Sequence, residues 1–317
     1  TDRLMREITP PRYQQILQEH GGTDFAYSYS DLARFRTAVF RTRGNIGIVM
    51  RLIPHRILSF DDLGLPRETI IEVLCSHRGL VVVTGPTGSG KTTTLATMID
   101  YINSNRYTHI ITIEDPIEYY HPHKKAIVTH RELHVDTPTF AYAMRGALRM
   151  DPDVILLGEM RDLETMEAAL VAAETGHLVF STLHTISASQ TVDRVVDAYP
   201  VTQQEQIRSV LAVALRTIIA QTLLPRITGK GRVAAYEILH NTPAVQNLIR
   251  ERKTNRIVSI IQTSAKQGMI TLDDYLITLY RKGIISGEIA LERAHYPSEM
   301  RMKMMQLGGE ADGGIVE

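Results

Sequence analysis

The chain has 317 residues, enough for two domains at roughly 150 residues each, and carries 35 Lys+Arg against 35 Asp+Glu. That balance removes the global charge that would mark a nucleic-acid or membrane-surface protein. A single cysteine, Cys75, excludes an internal disulfide framework and any multi-cysteine zinc site.

Thr1 in place of methionine points to a processed or truncated chain, and no signal peptide opens it. Pro10 and Pro11 start a short helix through about His20, closed by Gly21-Gly22. Three strand-like runs follow, Asp24–Ser30, Ala33–Arg41 and Gly47–Ile53, with Arg43-Gly44-Asn45 as a hairpin turn. Residues 1–53 thus read as a small antiparallel sheet with a helix. Residues 54–66, with two prolines and Asp61-Asp62, read as a linker.

From Arg67 the pattern becomes alternating helices and buried strands. Cys75 falls in an amphipathic helix and is expected to be a buried small hydrophobe. Strands are expected near Leu80–Thr84, His109–Ile113, Ile127–His130, Val154–Leu157 and Leu178–Thr182. This alternation predicts an open α/β sheet with right-handed crossovers over residues 67–240. The longest apolar helix is expected around Val210–Leu224, interrupted by Arg216 and too short to span a bilayer. One strand, Arg232–Leu239, precedes a helical region over 241–306, with helices near Pro243–Arg250, Arg256–Lys266, Thr271–Arg281 and Ser286–Ala294. Residues 307–317, rich in glycine, read as a flexible tail. The chain reads as soluble and cytoplasmic.

Chemistry concentrates at four places. Gly85, Pro86, Thr87, Gly88, Ser89, Gly90, Lys91 and Thr92 match the phosphate-binding pattern G-x-x-x-x-G-K-[ST], between an apolar strand and a helix. Backbone N–H groups and the helix N-terminus would cradle phosphates, and Lys91 would reach the β- and γ-phosphates of ATP. The Thr92 hydroxyl would ligate Mg²⁺, with Thr93 completing the nucleotide-binding set. Acidic partners belong at the carboxyl ends of neighbouring strands. There stand Glu114, Asp115 and Glu118, and in the run from Asp153 through Gly158, Glu159, Arg161 and Asp162. Gly158 takes the place where a metal-binding aspartate is usual. Glu159 is therefore expected to polarise the attacking water and to share the metal with Thr92 and Asp115, with Glu114 assisting. His177 and His184 bracket a buried strand and read as a γ-phosphate sensor, too far apart to hold one metal. The N-terminal sheet supplies Arg34, Arg36, Arg41, Arg43 and Arg51, candidates to neutralise charge on the γ-phosphate.

Taken together, GPTGSGKTTT, IITIEDPIEY, DPDVILLGEMRD and AAETGHLVFSTLHT resemble the secretion ATPases of type IV pilus and type II secretion machines. The nearest branch is the type IV pilus retraction (PilT) family. In family terms these runs look like Walker A, an Asp box, an atypical Walker B and a His box. The resemblance implies a RecA-like P-loop ATPase core, a truncated PAS-like α+β N-terminal domain and a C-terminal helical region. It implies Glu159 as catalytic glutamate and Arg36 and Arg51 as fingers delivered from a neighbouring subunit of a homohexameric ring. It also implies hinge motion about the linker and an inner-membrane platform protein as partner. The single cysteine excludes the four-cysteine module of the extension branch. Ala244-Val-Gln-Asn-Leu-Ile-Arg-Glu251 is similar to the retraction signature A-I-R-N-L-I-R-E, with Val245 and Gln246 departing, so a type IVB secretion ATPase remains an alternative. A nucleotide-binding regulator with little turnover is a second competing reading. A DNA-uptake motor is a third, and overall neutrality gives it no support.

Overall fold

A computed structural model describes residues 1–30, 32–53 and 56–311. Ten strands run in chain order: β1 Gly22–Tyr29, β2 Ala33–Thr42, β3 Asn45–Ile53, β4 Gly79–Thr84, β5 His109–Glu114, β6 Ile127–Glu132, β7 Val154–Leu157, β8 Leu178–Thr182, β9 Leu215–Pro225 and β10 Arg232–His240. The first three form an antiparallel meander. The other seven form one sheet in the order β10-β9-β4-β8-β7-β5-β6, parallel except for β10 at one edge.

The inner strands are apolar on both faces because helices cover both faces. Period-two alternation sorts the side chains. Val81 and Val83 of β4 pack with Ile110 and Phe180 under Leu95, Met98, Ile99 and Ile102 of the helix Lys91–Asn105. Leu80 and Val82 point the other way and join Ile111, Ile113, Ile155, Leu157 and Val179 beneath the helices Phe140–Ala147, Leu163–Thr175 and Ala188–Asp197. The N-terminal sheet has its own small core, Met5, Leu17, Phe25 and Val39. Helices from Pro243 onward bury Leu272, Leu276, Leu279, Ile285 and Met300 against Leu224 and Ala235.

The structure corrects four sequence expectations. The helix expected over Val210–Leu224 stops at Ala214, and Leu215–Pro225 is strand β9, lying parallel beside β4. A doubly buried strand has no polar face, so its pattern matches a buried helix until β-branched content decides; Thr217, Ile218, Ile219 and Thr222 carry that signal. Cys75 is exposed, one step past the inward-facing Ile70 and Leu74 of its helix. The expected linker is anchored in its second half: a helix Phe60–Leu63, capped by Ser59 and Asp62, buries Phe60, and Leu65 is buried behind it. Pro54 and His55 lie outside the described residues. The last helix runs Pro297–Ala311, into the stretch read as a tail, whose remainder lies outside the described residues. A helix Asp2–Ile8 that the sequence reading missed also packs Met5 and Ile8 inward. Among the described residues no helix is long and apolar enough to cross a membrane.

Phe180 is fully buried at the centre of the sheet. Phe180→Ala should cost about 3–5 kcal/mol of unfolding free energy, measured by denaturant titration. A loss below about 1 kcal/mol would contradict this packing.

Candidate active site

Strand β4 ends at Thr84 and the chain turns through Gly85–Gly90 into the helix that begins at Lys91. The turn needs glycine at Gly85: its φ is +144°, and a Cβ there would sit 2.2 Å from the Gln221 carbonyl oxygen. Gln221, on β9, supports the loop from beneath. Its amide nitrogen donates to the Ser89 carbonyl at 2.6 Å, and its amide oxygen accepts from Thr94 Oγ1 at 2.8 Å. Sequence reasoning missed this residue, because it placed Gln221 on a helix. Lys91 Nζ donates to the carbonyls of Gly85 at 2.8 Å and Pro86 at 3.2 Å. Burial pulls the Lys91 pKa down, while the carboxylates of Glu159 and Glu118 oppose that.

The parallel strands deliver their carboxyl ends to the same edge as this loop. Glu114 closes β5 and is buried; its Oε1 has no hydrogen-bond partner among the described residues, and burial raises its pKa to about 7. Gly158 follows β7 and donates its N–H to the Ile113 carbonyl at 2.8 Å. A Cβ on Gly158 would come within 3.3 Å of that oxygen and 3.5 Å of the Glu114 Cα, so the glycine lets β7 lie close against the carboxylate-bearing strand. Thr182 Oγ1 donates to the Gly158 carbonyl at 2.7 Å and fixes this corner to β8. The next residue, Glu159, is then held by two basic groups. His184 Nε2 lies 3.3 Å from its Oε2, and the Arg161 guanidinium contacts its Oε1.

A cleft of about 480 Å³ joins these parts, lined by Thr87, Gly88, Gly90, Lys91, Thr92, Thr93, Glu114, Asp115, Glu159 and His184. Its opposite wall is the N-terminal sheet of the same chain, which contributes Arg36 and Arg51. The sequence reading had these arginines arriving from a neighbouring copy; a single chain already brings them to its own loop. Arg34 is engaged elsewhere, 3.2 Å from Glu132 at the end of β6. Among the lining residues not foreseen there are Arg232 from β10 and Phe140. The former was unreadable because β10 carries no motif.

His177 does not join the site. It precedes β8, at the end of the sheet opposite the loop, and its Nδ1 lies 3.0 Å from the Ala172 carbonyl at the close of the preceding helix. A strand puts its two ends on opposite edges of the sheet, so only one of two bracketing histidines can face the cleft, and that is His184. The oxygen donors of Thr92, Asp115 and Glu159 line one cleft and suit a hard divalent cation that takes most of its ligands from phosphates and water. Consistent with that, the described residues contain no group of three or more His, Cys, Asp or Glu able to hold a metal by themselves.

Glu114 keeps its proton to about pH 7 in the folded chain, against an ordinary value of 4.5. Its contribution to stability is therefore fully present below pH 4.5 and is lost as pH rises through 7. Glu114→Gln removes that dependence. At pH 8 the variant should be more stable than the parent by on the order of 3 kcal/mol, with the gap closing toward pH 4.5. Parallel stability–pH curves for the two proteins would show that this carboxyl is not buried.

Three comparisons bear on this geometry. Residues 26–292 match the family described as Type II/IV secretion system protein. The type IV pilus retraction ATPase PilT of Pseudomonas aeruginosa is 51% identical over 294 residues, covering 93% of this chain and 85% of the relative. A twitching motility protein of Neisseria gonorrhoeae is 50% identical over 297 residues, covering 94% and 79%. A solved structure of the pilus retraction motor PilT with bound ADP superposes with a TM-score of 0.88 at 49% identity, covering 95% of this chain and 85% of that one. The family match spans most of the chain and the likeness to these relatives covers most of their length, so the chain belongs to the Type II/IV secretion system protein family.

Proposed function

We propose that this chain is an ATP-hydrolysing motor that powers type IV pilus retraction, as the names of its relatives indicate. The observation that carries the reading is the single cleft uniting the phosphate loop, the strand-end carboxylates and two arginines. Loop N–H groups and Lys91 hold the triphosphate at the start of the helix. Lys91 is released from the Gly85 and Pro86 carbonyls to do so. Glu159, oriented by His184 and Arg161, aligns the water and takes its proton. Glu114 lies buried beside Gly158, the residue before Glu159, and supports Glu159 as a proton-holding neighbour. Thr92, Asp115 and Glu159 would hold a Mg²⁺ ion, which would supply charge neutralisation on the phosphates. Arg36 and Arg51 close over the γ-phosphate with the N-terminal sheet of the same chain.

Relative motion of the N-terminal sheet and the core converts this chemistry into movement. The hinge is short, because Phe60 and Leu65 fasten the end of the connecting stretch to the core. The working assembly is a homohexameric ring in the cytoplasm, seated on an inner-membrane platform protein, without direct nucleic-acid contact.

Lys91→Ala should abolish steady-state phosphate release. Glu159→Gln should bind nucleotide normally and turn over at least about 100-fold more slowly. Substantial turnover by Glu159→Gln would remove Glu159 from its role. Rings mixed from Arg36→Ala and Lys91→Ala subunits should stay inactive, because each arginine serves its own chain's loop. Recovery of activity in any mixture would place the arginine in a neighbour's site instead. In cells, the parent chain should restore pilus retraction to a strain lacking its own motor, and Lys91→Ala should not.

A further inference from the structure

Arg36 and Arg51 stand directly opposite each other on antiparallel β2 and β3, and both line the cleft. Like charges at such a cross-strand position repel unless an anion faces them. Arg36 already has one: its Nη1 lies 3.6 Å from Glu118 Oε1. Glu118 sits in the turn after β5 and lines the same cleft. Its carboxylate also favours the charged form of Lys91. One side chain thus interacts with a cation from the phosphate loop and a cation from the N-terminal sheet.

We propose that Glu118 is a specificity-determining residue, holding Arg36 until the terminal phosphate of a nucleoside triphosphate displaces it. The inference rests on the ATPase reading above and adds to it a resting partner for the arginine. A triphosphate out-competes the carboxylate because it brings more negative charge to the same cation. A diphosphate lacks the phosphate that would reach Arg36, and leaves the Glu118–Arg36 pair in place. After hydrolysis Glu118 recovers the arginine, which separates the N-terminal sheet from the cleaved phosphate and favours its release. The pair is 40% and 34% exposed, so solvent screening limits its weight to a factor of about five in an equilibrium.

Equilibrium binding of a non-hydrolysable ATP analogue and of ADP to the full chain tests this. Glu118→Gln should bind the analogue about three- to fivefold more tightly, with ADP affinity little changed. In steady state its KM should fall, and kcat should fall with it as release of the cleaved phosphate slows. Glu118→Asp should return both toward the parent. In the double variant Glu118→Gln/Arg36→Ala the gain in analogue affinity should vanish, since no arginine remains to be freed. No gain in Glu118→Gln, an equal gain for ADP, or a gain that survives loss of Arg36 would each overturn the proposal. If the parent binds both nucleotides normally while Glu118→Gln is unchanged, only this inference falls. If the parent binds neither, the ATPase reading falls and takes this inference with it.

Discussion

The active site depends on the close approach of β9 to the turn that follows β4. Gly85 passes the Gln221 backbone with no room for a Cβ, and the Gln221 side chain then reaches Ser89 and Thr94. A loop that offers N–H groups to an anion cannot satisfy its own carbonyls in the usual way. Here those carbonyls are taken up by a glutamine from a neighbouring strand and by Lys91. Without β9 in that place, the loop would be a flexible glycine turn rather than a preformed cradle. Strand order therefore precedes chemistry: β9 beside β4 holds the cradle, while β8, β7 and β5 on the other side carry His184, Glu159 and Glu114.

The second constraint is charge. The cleft gathers Lys91, Arg36, Arg51, Arg161 and Arg232 against Glu114, Asp115, Glu118 and Glu159. Two of the arginines are matched with a carboxylate, Arg36 with Glu118 and Arg161 with Glu159. Outside the cleft Arg34 and Glu132 make a second link between the N-terminal sheet and the core, more deeply buried than the Arg36 pair. The small sheet is thus joined to the acidic strand ends by ion pairs of unequal exposure, and the more exposed one borders the nucleotide.

How much of this the sequence carried differs from element to element. The loop, β4, β5, β7 and β8 were legible because short apolar runs ended in glycine, in acids or, for β8, just before a histidine, which leaves little room for another reading. Glu159 and His184 were legible for the same reason, as polar residues set just past buried strands. His177 was misplaced because a motif shows that two histidines flank a strand, yet strand geometry sends them to opposite edges. Strand β9 was lost, and Gln221 with it, since a largely buried segment with few polar residues shows no clear period of either kind. The arginines were seen as a set, but which chain's loop they face is a long-range fact that no local pattern records. Cys75 fell on the wrong face by a single residue, which is the usual error in placing a helix end.

The glycine at 158 has a further consequence for how the site handles its cation. The close packing of β7 against β5 puts the Ile113 carbonyl oxygen 3.3 Å from where a Cβ would stand, so a carboxylate-bearing residue at this position would crowd the backbone of β5. The oxygen ligands on offer are the Thr92 hydroxyl and the carboxylates of Asp115 and Glu159, spread along the cleft. With oxygen ligands so spread, a divalent cation would come in on the nucleotide's phosphates rather than wait on the protein.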